Sequence, residues 1–202
     1  RIAQHMIQSR RISAHVTSFF EIDLTRVARI RAKQRAAIEA STGYKLSYLP
    51  FIISAVVNGL KKFPIMNSAV SGNNIIYRKQ YNIGIAVALD WGLIVPVIKN
   101  ADDLSLSGLT RSLNDLASRA RAKKLDPREV QDGTFTITNP GIFGSLMGTP
   151  IISQPQVAIL GVGAIEKRPK VITGADGEDT IAIRTCAFFS ISFDHRIIDG
   201  AV

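Results

Sequence analysis

The run IAIRTCAFFSISF at residues 181–193 constrains this chain more than any other stretch. It is rich in β-branched and aromatic side chains, contains no glycine or proline, and reads as a strand. At a period of two, Ala187, Phe189, Ile191, Phe193 and then His195 fall on one face, while Cys186, Phe188, Ser190, Ser192 and Asp194 fall on the other. His195 therefore ends an apolar row. Desolvation there would favour a neutral imidazole able to accept a proton, which suits a general base. The strand alone fits a buried structural histidine better than a base, and Asp199-Gly200 just beyond it is a common turn pair.

The remaining pattern mixes strands and helices. HVTSFFEID (15–23) reads as a strand, after which Asp23 is placed to cap a helix running to about Ser41 and stopped by Gly43. A second helix should start near Ser47, hold Pro50 in its first turn and end before Pro64. Residues 74–80, 82–90 and 93–100 are short strand-like runs. Trp91-Gly92 is a hairpin signal between the last two, and Pro96 marks an edge or a bulge. Leu106, Leu109, Leu113, Leu116 and Ala120 form one helical stripe within 105–124, and Asp126-Pro127 opens a turn. Residues 133–138, 157–165 and 170–173 read as further strands, with GADGED as the turn before 181. No βαβ alternation, internal repeat or linker is present. The pattern predicts one α+β domain over residues 1–202, with helices packed on a mixed or largely antiparallel sheet.

Charge and composition exclude several classes. The formal charge of +9 is concentrated in residues 1–62, which hold eleven Lys or Arg against three Asp or Glu. Such a balance attracts anions, among them nucleic acid, acidic lipid, an acidic partner or a phosphorylated cofactor. The arginines are scattered without aromatic interleaving or a reading motif, so nucleic acid is not expected as a partner. No apolar stretch reaches the roughly 20 residues of a membrane span, and RIAQHMIQSRR lacks the apolar core of a secretory signal. Cys186 is the only cysteine, which excludes an internal disulfide and suits a reducing interior. In mid-strand it reads as a buried structural thiol. His5 and His15 have no companion at metal-ligand spacing and read as structural; no metal site is expected.

A second candidate element is FTITNPGIFGSLMGTP (135–150). A strand ends at Thr138, and a loop with Gly141, Gly144 and Gly148 follows, allowing backbone to approach a ligand or another chain. Thr138 offers a hydroxyl where it could donate to a developing oxyanion. The loop is no phosphate cradle, because no Gly-Lys-Ser/Thr follows, and no G-x-S-x-G elbow occurs in the chain.

SFDHRIIDGA (192–201) resembles the D-H-R-x-x-D-G signature of the dihydrolipoamide acyltransferases, the catalytic cores of 2-oxo acid dehydrogenase complexes. GTFTITNPGIFGSLMGTPIISQPQVAILGVGAI resembles the stretch that precedes this signature. AHVTSFFEIDLTRV, KKFPIMNS and NIGIAVALDWGLIVPVIKNAD are similar to further segments, in the family's order and over essentially the whole chain. The resemblance implies a chloramphenicol acetyltransferase-like fold, with a mixed sheet flanked by helices, forming homotrimers that build a 24-mer or 60-mer. It implies an active site in a channel between two subunits, entered by coenzyme A from one end and by the lipoyl arm from the other.

Carried over residue by residue, His195 is the general base, Thr138 the hydroxyl that hydrogen-bonds the tetrahedral intermediate, and Asp199 a brace paired with an arginine, for which Arg10 and Arg11 are candidates. Coenzyme A is then a substrate, and the lipoyl group rides on a separate domain. The partners are that lipoyl domain together with the 2-oxo acid dehydrogenase and dihydrolipoamide dehydrogenase components. The setting is bacterial cytoplasm or mitochondrial matrix.

The family usually continues past Val202 with a further helix, and neither a lipoyl nor a peripheral-subunit-binding domain precedes Arg1. The chain is therefore expected to be a catalytic-core fragment. FGSLMGTPII leans toward succinyl transfer, with acetyl and branched-chain acyl groups as alternatives. A non-catalytic scaffold would be expected to lose His195 or Asp199, and both are present. A small-molecule acetyltransferase of the same fold is the other alternative.

Overall fold

A computed structural model describes residues 2–90 and 92–200. Helix α1 (Ile2–Ile12) leads into strand β1 (His15–Asp23), and helix α2 (Thr25–Thr42) follows. Residues 2–12 carry no strong apolar period, so α1 is a finding of the structure. Its last turn holds Arg10 and Arg11, where cations complement the helix dipole. The Asp23 carboxylate does accept a first-turn bond, from Thr25 N at 2.8 Å, although Leu24 occupies the cap position itself. Gly43 stops α2 in the left-handed conformation at φ 77°, its N–H donating to Glu39 O.

Helix α3 (Leu49–Lys62) carries Pro50 in its first turn, as expected. A hairpin of β2 (Ser68–Ser71) and β3 (Asn74–Tyr77) follows. The 82–100 region forms four short strands: β4 (Ile83–Ile85), β5 (Val87–Leu89), β6 (Gly92–Ile94) and β7 (Val97–Ile98). Strands β5 and β6 pair with Leu89 opposite Gly92, so the expected hairpin forms; its Trp91 lies outside the described residues. Helix α4 (Leu106–Arg121) buries Leu109, Leu113, Leu116 and Ala120 of the predicted stripe. Strands β8 (Phe135–Thr138), β9 (Ala158–Val162), β10 (Glu166–Thr173) and β11 (Asp179–Asp194) complete the chain.

The main sheet is mixed, in the order β1-β11-β9-β8-β4-β7, with β10 pairing β11 beyond the end of β9. The β8 pairings with β4 and with β9 are parallel; the other pairings are antiparallel. The two faces of this sheet differ chemically. Phe135, Ile137, Ala158, Leu160, Val162 and Phe193 share one face and join Ile52, Ile53, Val57 and Leu60 of α3 and the stripe of α4 in a single core. The opposite face carries Ser190, Ser192, Asp194, Thr136 and Gly161, all of them buried.

The irregular segment 144–157 lies against that second face, and it runs close enough to require glycine beneath it. A Cβ on Gly163 would lie 2.0 Å from Leu146 O, and one on Gly141 would lie 2.2 Å from the Gly163 carbonyl carbon.

Candidate functional site

His195 follows directly after β11. Its N–H donates to Ala14 O at 2.8 Å, and its ring sits 5.9 Å from that of Phe193, on the apolar side that the strand period predicts. The ring is exposed, however. The desolvation argument drawn from the strand face therefore fails for a single chain; water would have to be excluded by another surface.

A buried carboxylate that the sequence did not single out, Asp194, anchors the start of this loop. Asp194 is 1% exposed. It accepts from Arg196 Nη2 at 2.7 Å, from Arg196 Nε at 3.0 Å, from Arg196 N at 3.2 Å and from Ala14 N at 3.3 Å. Burial pushes its pKa up, but the bonds from the Arg196 guanidinium, the Ser13 hydroxyl and the Arg196 amide outweigh burial and hold it below the usual carboxylate range. The D-H-R triplet thus works as a clamp: the flanking Asp and Arg grip each other on one face, and the histidine is presented on the other. Asp199 is exposed, four residues on, at the rim of an apolar hollow of about 280 Å³ lined by Phe20, Phe63, Met66, Phe193 and Ile198.

Thr138 is half-buried at the C-terminal end of β8. The Gly-rich turn that follows exposes Ile142 (69%) and Phe143 (72%), an apolar knob on the surface. Asn139, Gly141, Ile142 and Phe143 also line a hollow of about 740 Å³ with Tyr48 and Ile52.

The register shows that one chain does not bring Thr138 to His195. Thr138 pairs with Gly161, and Gly161 pairs with Ser190. His195 lies five residues further along the same strand line, which is roughly 17 Å at about 3.3 Å per residue, and two strand spacings add roughly 10 Å sideways. His195 and Thr138 sit at opposite ends of one sheet.

Other expected readings stand as follows. Cys186 is fully buried, and burial pushes its thiol pKa up, as expected of an inert core cysteine. Among the described residues no group of His, Cys, Asp and Glu could hold a metal, and no helix is long and apolar enough to cross a membrane. His15, read from sequence as merely structural, bonds through both ring nitrogens, to Ser13 O and Ile152 N. Arg10 and Arg11 are exposed at the end of α1.

Comparison with known proteins agrees with this architecture. The family model for 2-oxoacid dehydrogenases acyltransferase (catalytic domain) matches residues 1–202. The succinyltransferase component of the 2-oxoglutarate dehydrogenase complex of Bacillus subtilis is 42% identical over 199 residues, covering 98% of this chain and 47% of its own length. The acetyltransferase component of the pyruvate dehydrogenase complex of Mycobacterium bovis is 42% identical over 196 residues, covering 96% of this chain and 35% of its own length. The chain thus spans half or less of these two relatives.

Among solved structures, a probable dihydrolipoamide acetyltransferase from Listeria monocytogenes superposes with a TM-score of 0.93 at 42% identity, covering 99% of this chain and 83% of that one. The cubic core of a pyruvate dehydrogenase multienzyme complex superposes at 0.92 with 37% identity, covering 98% of this chain and 80% of that one. A chloramphenicol acetyltransferase, at 0.58 and 15% identity, shares the fold. Sequence, sheet topology and the placement of the D-H-R clamp converge on one assignment: this chain belongs to the acyltransferases of the 2-oxo acid dehydrogenase complexes and matches their catalytic domain.

Proposed function

We propose that this chain transfers an acyl group from acyl-dihydrolipoamide to coenzyme A at a site completed by two copies of the chain, His195 from one and Thr138 from the next. The observation that carries the composite site is the placement of these residues at opposite ends of the sheet in one chain. A head-to-tail interface that closes into a ring would set the tail of one sheet against the head of the next. The exposed knob of Ile142 and Phe143 beside Thr138 and the apolar hollow beside His195 are surfaces such an interface would cover. It would also exclude water from His195, restoring the low-dielectric setting a single chain lacks.

The chemistry follows from the residue types. His195 takes the proton of the coenzyme A thiol. The thiolate attacks the acyl carbonyl carbon, a new C–S bond forms, and the carbonyl electron pair moves onto oxygen. The Thr138 hydroxyl donates to that oxyanion. Collapse breaks the bond to the dihydrolipoyl sulfur, which receives the proton back from the imidazolium. The products are acyl-coenzyme A and dihydrolipoamide, and no acyl-enzyme is needed. Asp199, at the hollow's rim, acts as a brace rather than as a base.

The partners are a lipoyl-bearing domain and the dehydrogenase components of the complex, and the assembly is a trimer-based core. Relatives of equal identity carry succinyl and acetyl groups. The succinyl reading rests on FGSLMGTPII alone, and an assay across succinyl-, acetyl- and branched acyl-dihydrolipoamide tests it.

The test of the site uses two inactive variants. His195→Ala should lower turnover by about 10²–10⁴-fold, and Thr138→Ala by on the order of 10²-fold. Exchanging subunits between the two should restore about a quarter of wild-type activity, because about a quarter of randomly formed interfaces pair an intact histidine with an intact threonine. Full activity in folded His195→Ala would overturn the mechanism. No recovery on mixing would overturn the composite site.

A further inference from the structure

We infer that His15 is a positioning residue for His195: a neutral imidazole that ties the 152–156 segment to the strand start on which the His195 backbone hangs. The inference rests on the acyl-transfer reading above and extends it to a residue on the opposite face of the sheet. His15 lies directly across from Asp194 in the β1–β11 pairing, and its neighbour Ala14 accepts the His195 N–H at 2.8 Å while donating its own N–H to Asp194.

The His15 ring has one satisfactory protonation state. Ile152 N is an obligatory donor and lies 3.0 Å from Nε2; Ser13 O is an obligatory acceptor and lies 3.0 Å from Nδ1. Only the neutral ring with its proton on Nδ1 meets both. An imidazolium would aim a second N–H at the Ile152 amide, leaving that donor without its partner in a segment where Ile152 is fully buried.

The bonds around this ring converge on the site loop. Ser9 Oγ donates to Ile152 O at 2.6 Å, Gln154 Nε2 donates to Ser13 Oγ at 2.7 Å, and Asp194 N donates to Val157 O at 2.9 Å. The 152–157 segment, the end of α1 and the start of β1 are therefore tied together around the base of His195, with the His15 ring bonded to Ser13 on one side and to Ile152 on the other. The charged groups around it are Asp194 across the strand pair, Arg196 that neutralises Asp194, and the exposed Arg10 and Arg11 at the end of α1. Residues 151–156 hold no ionisable side chain.

The experiment compares His15→Gln, which keeps a side-chain acceptor and donor, with His15→Ala in the assembled protein. The readouts are kcat, KM for coenzyme A and amide hydrogen exchange. His15→Ala should lower kcat by about 10- to 100-fold, with KM for coenzyme A nearly unchanged, because it misplaces the base rather than the substrate. His15→Gln should stay within about threefold of wild type at pH 8. Exchange at the Ile152 and His195 amides should quicken in His15→Ala and not in His15→Gln.

Unchanged exchange at the His195 amide in His15→Ala would overturn the inference, as would a loss carried by KM for coenzyme A with kcat unchanged. Should His15→Ala not fold, His15→Leu, which fills the space but cannot accept the Ile152 N–H, is read by the same kcat and exchange measurements. Acyl-transfer activity in wild type is the separate control: its absence would sink the functional reading, while exchange would still report on the His15 link.

Discussion

Replacing Asp194 by asparagine isolates the clamp behind His195. The substitution keeps size and shape but turns one acceptor oxygen into a donor. Of the bonds the carboxylate receives, those from Ala14 N and Arg196 N can persist on the remaining oxygen. The guanidinium contacts cannot all do so, because the new amide would present N–H to Arg196 Nε or Nη2.

Removing one partner of a buried ion pair costs about 3–5 kcal/mol when the other charge is left stranded. Arg196 is not stranded, since its side chain is 40% exposed and can rehydrate. The expected loss therefore falls below that range, at about 2–3 kcal/mol, close to the value of hydrogen bonds to a charged group.

The pH dependence has a definite sign. The folded-state pKa of Asp194 is lowered, so its contribution is complete above the ordinary carboxylate value of about 3.9 and is lost as pH falls through the folded value. Urea unfolding of wild type and Asp194→Asn should differ by that amount at pH 7, and the gap should narrow below about pH 4. Turnover should fall with stability, because the Ala14 carbonyl that anchors His195 sits beside the same carboxylate. A stability difference under about 0.5 kcal/mol at pH 7, the range of ordinary surface substitutions, would refute the assignment of Asp194 as the clamp.

Two further perturbations address the other end of the sheet. Gly163→Ala should cost about 3 kcal/mol or more in urea unfolding and depress turnover, since the added methyl group meets backbone at Leu146 and Phe188 rather than a movable side chain; near-normal activity would show that the Gly-rich segment is not held where it lies. Cys186, with no exposure and a raised pKa, should react with a thiol reagent only at the rate of global unfolding, as followed by thiolate release in native and denaturing buffer; rapid native labelling would contradict its burial.

Much of the fold was legible because periodicity carries it. The period of two in 181–193 assigned both faces of β11, and spacings of three and four assigned the buried stripe of α4. The sequence signal failed where tertiary partners decide. The 82–100 region alternates in one continuous pattern, yet Ile83 and Ile85 join the main sheet while Val87 and Leu89 leave it for a separate hairpin, because only β8 and β7 are there to receive the first pair. Helix α1 has little period because its contacts are hydroxyls, Ser9 to Ile152 and to Gln154, rather than apolar side chains.

The candidate site shows the same division. His195, Thr138 and Asp199 are singled out by the resemblance of their segments to the family, whereas Asp194 is singled out by nothing in the sequence. Asp194 and Asp199 both follow a β pattern and both stand near arginines in sequence. What separates them is which face each occupies: Asp194 is the last residue of the buried hydroxyl row, where an ionised carboxylate persists only if it is fully bonded, whereas Asp199 emerges on an exposed loop. That buried row also explains why glycine recurs at 161 and 163 and why loop backbone lies against it. A helix would bring apolar side chains against Ser190, Ser192 and Asp194 and leave them without partners, whereas loop backbone supplies Val157 O to the Asp194 amide and, through Ile152, a donor to His15. The sheet face that carries no apolar pattern is therefore the one that organises the loop bearing His195.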